Sequence, residues 1–206
     1  MNVSVQRFEA DRRNVRLRQS GLRDLLRSGT SAAHATLEDT TLMRAFVSGA
    51  DDLGYARDYL TRQYRLHLSL ESTLAAVVPT DVATLRLVKS DWLAEDLRRV
   101  DAPISTEAVP MPQVDTWASA VGAMYVVEGS TLGLQKVRRQ LLAAGSTGWQ
   151  VESRFVRGYG EATAARWREF LQLTELLPAD QWPVAVAAAQ GTFEAFLHAF
   201  KDTTHE

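Results

Sequence analysis

Cysteine is missing altogether from the 206 residues, which excludes disulfides, zinc–thiolate sites, iron–sulfur clusters and cysteine nucleophiles. An excess of either charge is missing too: 23 basic against 25 acidic side chains leave a formal net charge of −2. A nucleic-acid or membrane-surface partner would call for a basic surplus, so neither is expected. No run approaches the roughly 20 apolar residues that span a bilayer. Residues 1–18 hold five arginines (Arg7, Arg12, Arg13, Arg16, Arg18) and no apolar core, so they read as a solvated lead-in rather than a secretion signal, and the cytoplasm is the expected setting. Period-two alternation, the mark of strands, is nearly absent. Glu-x-x-His, which helical di-iron proteins repeat, does not occur. A thiamine-processing enzyme on a similar bundle would want the cysteine that is lacking.

What remains is helical. Leu22, Leu25, Leu26, Ala33 and Leu37 recur three and four residues apart and mark one apolar stripe. A short helix from Thr41 to Phe46 is stopped by Gly49. Asp51 or Asp52 caps a long helix reaching Val77 before Pro79, and Asp81 opens another that carries Leu85, Val88, Trp92 and Leu97. Pro103 to Pro112 is a loop. The longest block, Val114–Ala144, ends at Gly145, and Gly148–Gly160 is irregular with an extended piece at Val151–Val156. Glu161–Leu177 and Asp180–Lys201, parted by Pro178, complete one all-α domain over residues 19–203.

The longest block carries Gly122, Gly129 and Gly133 inside an otherwise strong helix, each costing about 1 kcal/mol against alanine. Steps of seven and eleven return to nearly the same direction, so the three form a bare stripe shared with Ala118 and Tyr125. Close helix–helix packing is one explanation. A flat, bulky ligand lying against the backbone is the other. Ser130 and Thr131 between the glycines favour a local bend, because their hydroxyls compete for helical carbonyls.

Of four histidines, His205 lies at the tail, and His198 follows Glu194 by four on a helix surface. His67 precedes Glu71 by four, and its neighbours Leu60, Tyr64 and Leu74 make it a core, hydrogen-bonded histidine. His34 precedes Glu38 by four. A neutral imidazole that binds iron through one nitrogen needs an acceptor for the other N–H, and a carboxylate one turn away supplies it. Spacing alone does not separate the His34 pair from the His67 pair.

Two segments resemble the heme oxygenase family. LRDLLRSGTSAAHATLEDTTLMRAFVSG (22–49) is similar to the family's proximal helix, with a basic residue, Thr-x-x-x-His, an acidic residue and Met-Arg-x-Phe. AVGAMYVVEGSTLGLQ (120–135) resembles the glycine-bearing distal helix of the bacterial, biliverdin-forming branch found with bacteriophytochromes. YGEATAARWREF (159–170) extends the likeness more weakly. The resemblance implies a multi-helix bundle holding heme b. It also implies opening of the porphyrin at a meso carbon to biliverdin, CO and ferrous iron. No flavin or nicotinamide fingerprint is present, so a ferredoxin or reductase would supply electrons, and a bacteriophytochrome would be the acceptor of the bilin.

The resemblance also implies roles. His34 is the iron ligand and Glu38 its hydrogen-bond partner. Arg27 holds one heme propionate, and Arg166 or Arg168 the other. Gly129 and Gly133 bring backbone over the iron, and Tyr125 stands at the heme edge. Ser130 occupies the place where mammalian enzymes carry a water-ordering aspartate, and Leu134 that of their second consecutive glycine. The Ser130 departure keeps open a heme carrier or sensor that performs no oxidation.

Overall fold

The computed structural model of the protein describes residues 21–201; the lead-in at 1–18 and His205 lie outside them. Among the described residues ten helices follow in order: α1 (Leu22–Glu38), α2 (Thr41–Ser48), α3 (Leu53–Ala75), α4 (Thr80–Arg86), α5 (Lys89–Arg99), α6 (Trp117–Ala143), α7 (Trp149–Glu152), α8 (Arg154–Arg157), α9 (Thr163–Glu175) and α10 (Trp182–Phe200). Short 3-10 turns at Gly160–Ala162 and Ala179–Gln181 lead into α9 and α10. Among the described residues there is no strand. The chain forms an all-α domain.

The helix ends follow from local chemistry. Thr40 accepts from the Met43 N–H, and Gly49 closes α2 at φ 77°, the left-handed turn that glycine tolerates best. Asp52 is the cap of α3, accepting from Tyr55 N at 2.8 Å, while Asp51 reaches across to Trp149 N. Thr116 and Ser119 form a reciprocal capping box, so α6 starts three residues later than the apolar run.

Two expectations are corrected. The single helix expected from Asp81 through Leu97 is broken at Leu87 and Val88. The Glu71 carboxylate, arriving from α3, accepts from Lys89 N at 2.7 Å and from Ser90 N and Oγ, and so caps a new helix. The extended piece expected at Val151–Val156 is instead the pair α7 and α8. Here the buried Asp96 carboxylate takes Ser153 Oγ at 2.6 Å, Arg154 N at 2.7 Å and Phe155 N at 2.9 Å. A carboxylate with three donors at a helix start favours helix over strand, whatever the β-branched residues prefer.

One core runs through the bundle, with Leu26, Phe46, Tyr59, Leu66, Phe155 and Phe170 fully buried. α10 lies against both α1 and α6, and α9 packs on α6. Small residues allow the approach. A Cβ on Gly122 would stand 1.9 Å from the Ala185 carbonyl oxygen, and one on Gly29 would stand 2.9 Å from Val186. α1 and α6 therefore face each other across the end of α10, and between them a cavity stays open.

Candidate active site

The cavity has a volume of about 700 Å³, inside the roughly 300–1,000 Å³ common for bound organic molecules. α1 supplies one wall with Arg27, Thr30, His34 and Glu38, and α6 the other with Tyr125, Gly129, Ser130 and Gly133. Phe193, Phe196 and Phe200 of α10 and Tyr59 and Gln63 of α3 close the inner end.

The glycine stripe divides. Gly122 is a packing glycine, because α10 leaves no room for a Cβ. Among the described residues, a Cβ at Gly129 would meet only the Trp167 ring at 3.7 Å, an ordinary contact, and one at Gly133 would meet nothing within 4 Å. The protein itself has no need of glycine at either place. Both open onto the cavity, so packing accounts for Gly122 alone.

His34 stands on the opposite wall with its side chain 57% exposed to the open cavity. Its Nδ1 lies 3.4 Å from Glu38 Oε2, a contact too poorly aligned for a hydrogen bond in this structure, with the carboxylate one turn away as the available acceptor for that nitrogen. Phe193 meets the imidazole edge-on at 5.8 Å and limits its rotation.

His67 differs in burial and in the fate of its glutamate. It is 1% exposed, neither ring nitrogen has a hydrogen-bond partner, and Phe155 and Phe196 stand edge-on to it at 5.2 and 5.8 Å. The hydrogen bond expected of it is absent, since its i+4 neighbour Glu71 is committed to α5. Burial, aided by the nearby Lys89 charge, pulls its pKa down to about 3, so the ring is neutral. Geometry thus separates two pairs that spacing could not.

Cationic groups gather at the mouth. Arg27 lines it beside Tyr125, whose hydroxyl burial pushes up in pKa while the charges of Arg23 and Arg27 pull it partly back. Neither candidate for the second anchor lines the cavity. Arg166 turns to Glu169 at 2.9 Å, and Arg168 is exposed, neither lining the cavity. Trp167 is the α9 residue that faces in, and its sequence neighbours project about 100° to either side. The cation on the α6 side is Lys136, with Gln140 one turn beyond. Both continue the direction of Gly129 and Gly133 at helical spacing, a signal present in the sequence.

The polar groups of the wall are largely committed. Ser130 Oγ donates to the Val127 carbonyl at 3.0 Å, Thr131 to the same carbonyl at 2.8 Å, and Thr30 to Leu26 at 2.7 Å. Behind α6, and missed by the sequence reading, Glu128 is 2% exposed and holds Arg86 at 2.9 Å, Lys89 at 2.7 Å and the Tyr159 hydroxyl at 2.9 Å. Burial alone would lower the Lys89 pKa, but Glu128 and Tyr159 outweigh it and the net shift is upward. This cluster ties α4 and α5 to the back of the glycine wall. An acidic residue inside the apolar run AMYVVEGS was its sequence signal.

Imidazole, an uncrowded backbone opposite it, an apolar interior and cations at the rim are what a porphyrin with two propionates requires, and the residues fit that group. Among the described residues no three His, Asp or Glu side chains converge to hold a free metal ion, and no helix is long and apolar enough to cross a membrane. No curated protein matches the chain. The sequence profile of the family described as heme oxygenase matches residues 20–202, the whole of the helical domain, and this chain belongs to the heme oxygenase family.

Proposed function

We propose that the chain binds heme between α1 and α6, with Nε2 of His34 on the iron, and opens it to biliverdin, CO and ferrous iron. The observation that carries this reading is the pair Gly129 and Gly133: two helix-interior glycines that no neighbouring atom among the described residues requires, both facing the cavity across from His34. The cost of a mid-helix glycine is then offset by a ligand held close to the backbone.

Bound heme supplies the iron at which dioxygen is reduced and the porphyrin that is oxidised. The protein's part is placement. Glu38 fixes the tautomer of His34, the phenylalanines of α10 exclude water from the inner end, and Arg27 and Lys136 pair with propionates at the mouth. With no side chain at Gly129 or Gly133, α6 would lie close against a bound macrocycle and leave little room on that face, the steric feature that would direct the chemistry to a meso carbon. Electrons come from a separate ferredoxin or reductase. The likeness of segment 120–135 to the bacterial branch supports a bacteriophytochrome as bilin acceptor, with the cytoplasm as setting.

A heme carrier on the same scaffold is the competing reading, favoured by the commitment of Ser130 Oγ to a helix carbonyl. Titration with hemin, followed by reductant and O2, decides. The wild type gives a histidine-ligated spectrum that gives way to bilin absorption. His34→Ala loses that spectrum, while His67→Ala keeps it. Lys136→Ala weakens hemin binding more than Arg168→Ala does. A stable Soret band under reductant and O2 would favour the carrier, and a titration indifferent to His34→Ala would remove the ligand assignment.

A further inference from the structure

A single axial bond leaves one freedom of a flat ligand unfixed. An imidazole on the iron sets the depth and tilt of a porphyrin, but the ring still turns about the iron–nitrogen axis, and its core is close to four-fold symmetric. Which meso carbon is presented therefore depends on what meets the rim. One rigid group on the cavity wall is placed to do so. Trp167 of α9 faces in, and the far edge of its indole overhangs α6: a Cβ on Gly129 would stand 3.7 Å from Cη2 and 3.8 Å from Cζ3. Tyr125, one turn before Gly129, meets the indole at 5.6 Å between ring centres. At Gly133, one turn after, a Cβ would meet nothing within 4 Å among the described residues. The bare strip of α6 is thus walled on the Gly129 side and open at Gly133.

The wall is braced from behind. Phe170, fully buried, stacks on the indole at 5.7 Å with the planes 27° apart. The Arg86 guanidinium lies over the Phe170 ring at 5.6 Å and donates to the Arg166 carbonyl at 3.3 Å, and Glu128 holds Arg86 in turn at 2.9 Å. The buried ion cluster behind the glycine helix therefore fixes the turn of α9 that carries Trp167. Lys136 reaches a carboxylate on a flexible four-carbon stem and follows a ring that turns; a braced indole does not. Resting on the heme oxygenase reading above, we propose that Trp167 is a specificity-determining residue: the fixed side wall that sets the rotation of the macrocycle about the His34–iron axis and so chooses the meso carbon that is opened.

Trp167→Phe keeps a ring against Phe170 and withdraws the edge that overhangs Gly129; Trp167→Leu is a second variant with the same expectation, and Arg168→Ala, exposed one residue on, is the control. The first readout needs no turnover. In the hemin-loaded, cyanide-bound protein, the proton NMR shifts of the four heme methyl groups report the angle between the ring and the His34 imidazole. Their order or spread changes in Trp167→Phe, or a second set appears, while Arg168→Ala keeps the wild-type pattern and the histidine-ligated spectrum persists in both. The second readout is the biliverdin isomer ratio after turnover, separated by chromatography: the minor isomers rise severalfold in Trp167→Phe and not in Arg168→Ala. An unchanged methyl pattern overturns Trp167 as the side wall, and a changed pattern with an unchanged isomer ratio overturns its choice of carbon; in either case the heme reading stands. A wild type that binds no hemin through His34, or opens none, overturns that reading and this inference with it.

Discussion

If Gly133 is kept for a ligand and not for the fold, replacing it with alanine must stabilise the heme-free protein. The interior of α6 gains the helix propensity that glycine forgoes, about 1 kcal/mol, and the new methyl group meets nothing within 4 Å. For a domain of this size that gain raises the melting temperature by about 2–4 °C. Gly129→Ala behaves alike, its Cβ resting 3.7 Å from the Trp167 ring. Gly122→Ala is the control. Its Cβ would lie 1.9 Å from the Ala185 carbonyl oxygen, so α10 must retreat and stability falls by about 1–3 kcal/mol or more. Thermal melts of the heme-free variants, followed by circular dichroism, therefore have opposite signs within one stripe of one helix. The ligand side of the argument takes a larger substitution. Gly133→Leu fills the space opposite His34, and biliverdin formation drops while hemin still binds. A Gly133→Ala melt below that of wild type would return the glycine to packing and remove the main support for a close-lying porphyrin. Normal biliverdin formation by Gly133→Leu would remove the steric account of where the ring is attacked.

Two further outcomes test the frame around the cavity. Glu128→Gln leaves Lys89 buried without its counter-charge and Arg86 with only the half-exposed Glu169 at 3.9 Å, and destabilises the fold by about 3–5 kcal/mol in a urea melt; a loss under about 1 kcal/mol would mean the cluster is solvated rather than buried. His67 gives a pH signature with a defined sign. Its folded pKa of about 3 lies below the ordinary 6.5, so between those values the unfolded chain binds a proton that the folded chain refuses. Stability is intact above about pH 6.5 and is lost on acidification toward 3, with a slope of at most about 1.4 kcal/mol per pH unit. His67→Leu flattens that slope, and an unchanged slope would assign it to other groups.

Helix existence was legible because apolar periodicity and capping residues are local: Gly49 and Asp52 act where a sequence reader places them. Failures came where a distant side chain supplied the cap. Glu71 and Asp96 each travel from another helix to start one that propensity alone would have continued or made extended. The same limit governs the site. His34 and His67 are indistinguishable by spacing, since each has a glutamate four residues on. They differ because Glu71 is drawn away to cap α5 and phenylalanines close over His67, whereas Glu38 stays beside a ring open to the cavity. Arg166 and Arg168 lie outside the cavity lining through a rotation of 100° about α9, which a weak motif with uncertain register cannot supply, while Lys136 was readable from the stripe of Gly129 and Gly133. The glycines teach the same lesson in reverse. Their shared direction was visible in the sequence, but what each one faces depends on α10, which approaches one end of the stripe and leaves the other bare. A stripe is a property of one helix; a binding wall exists only where its neighbours stand back.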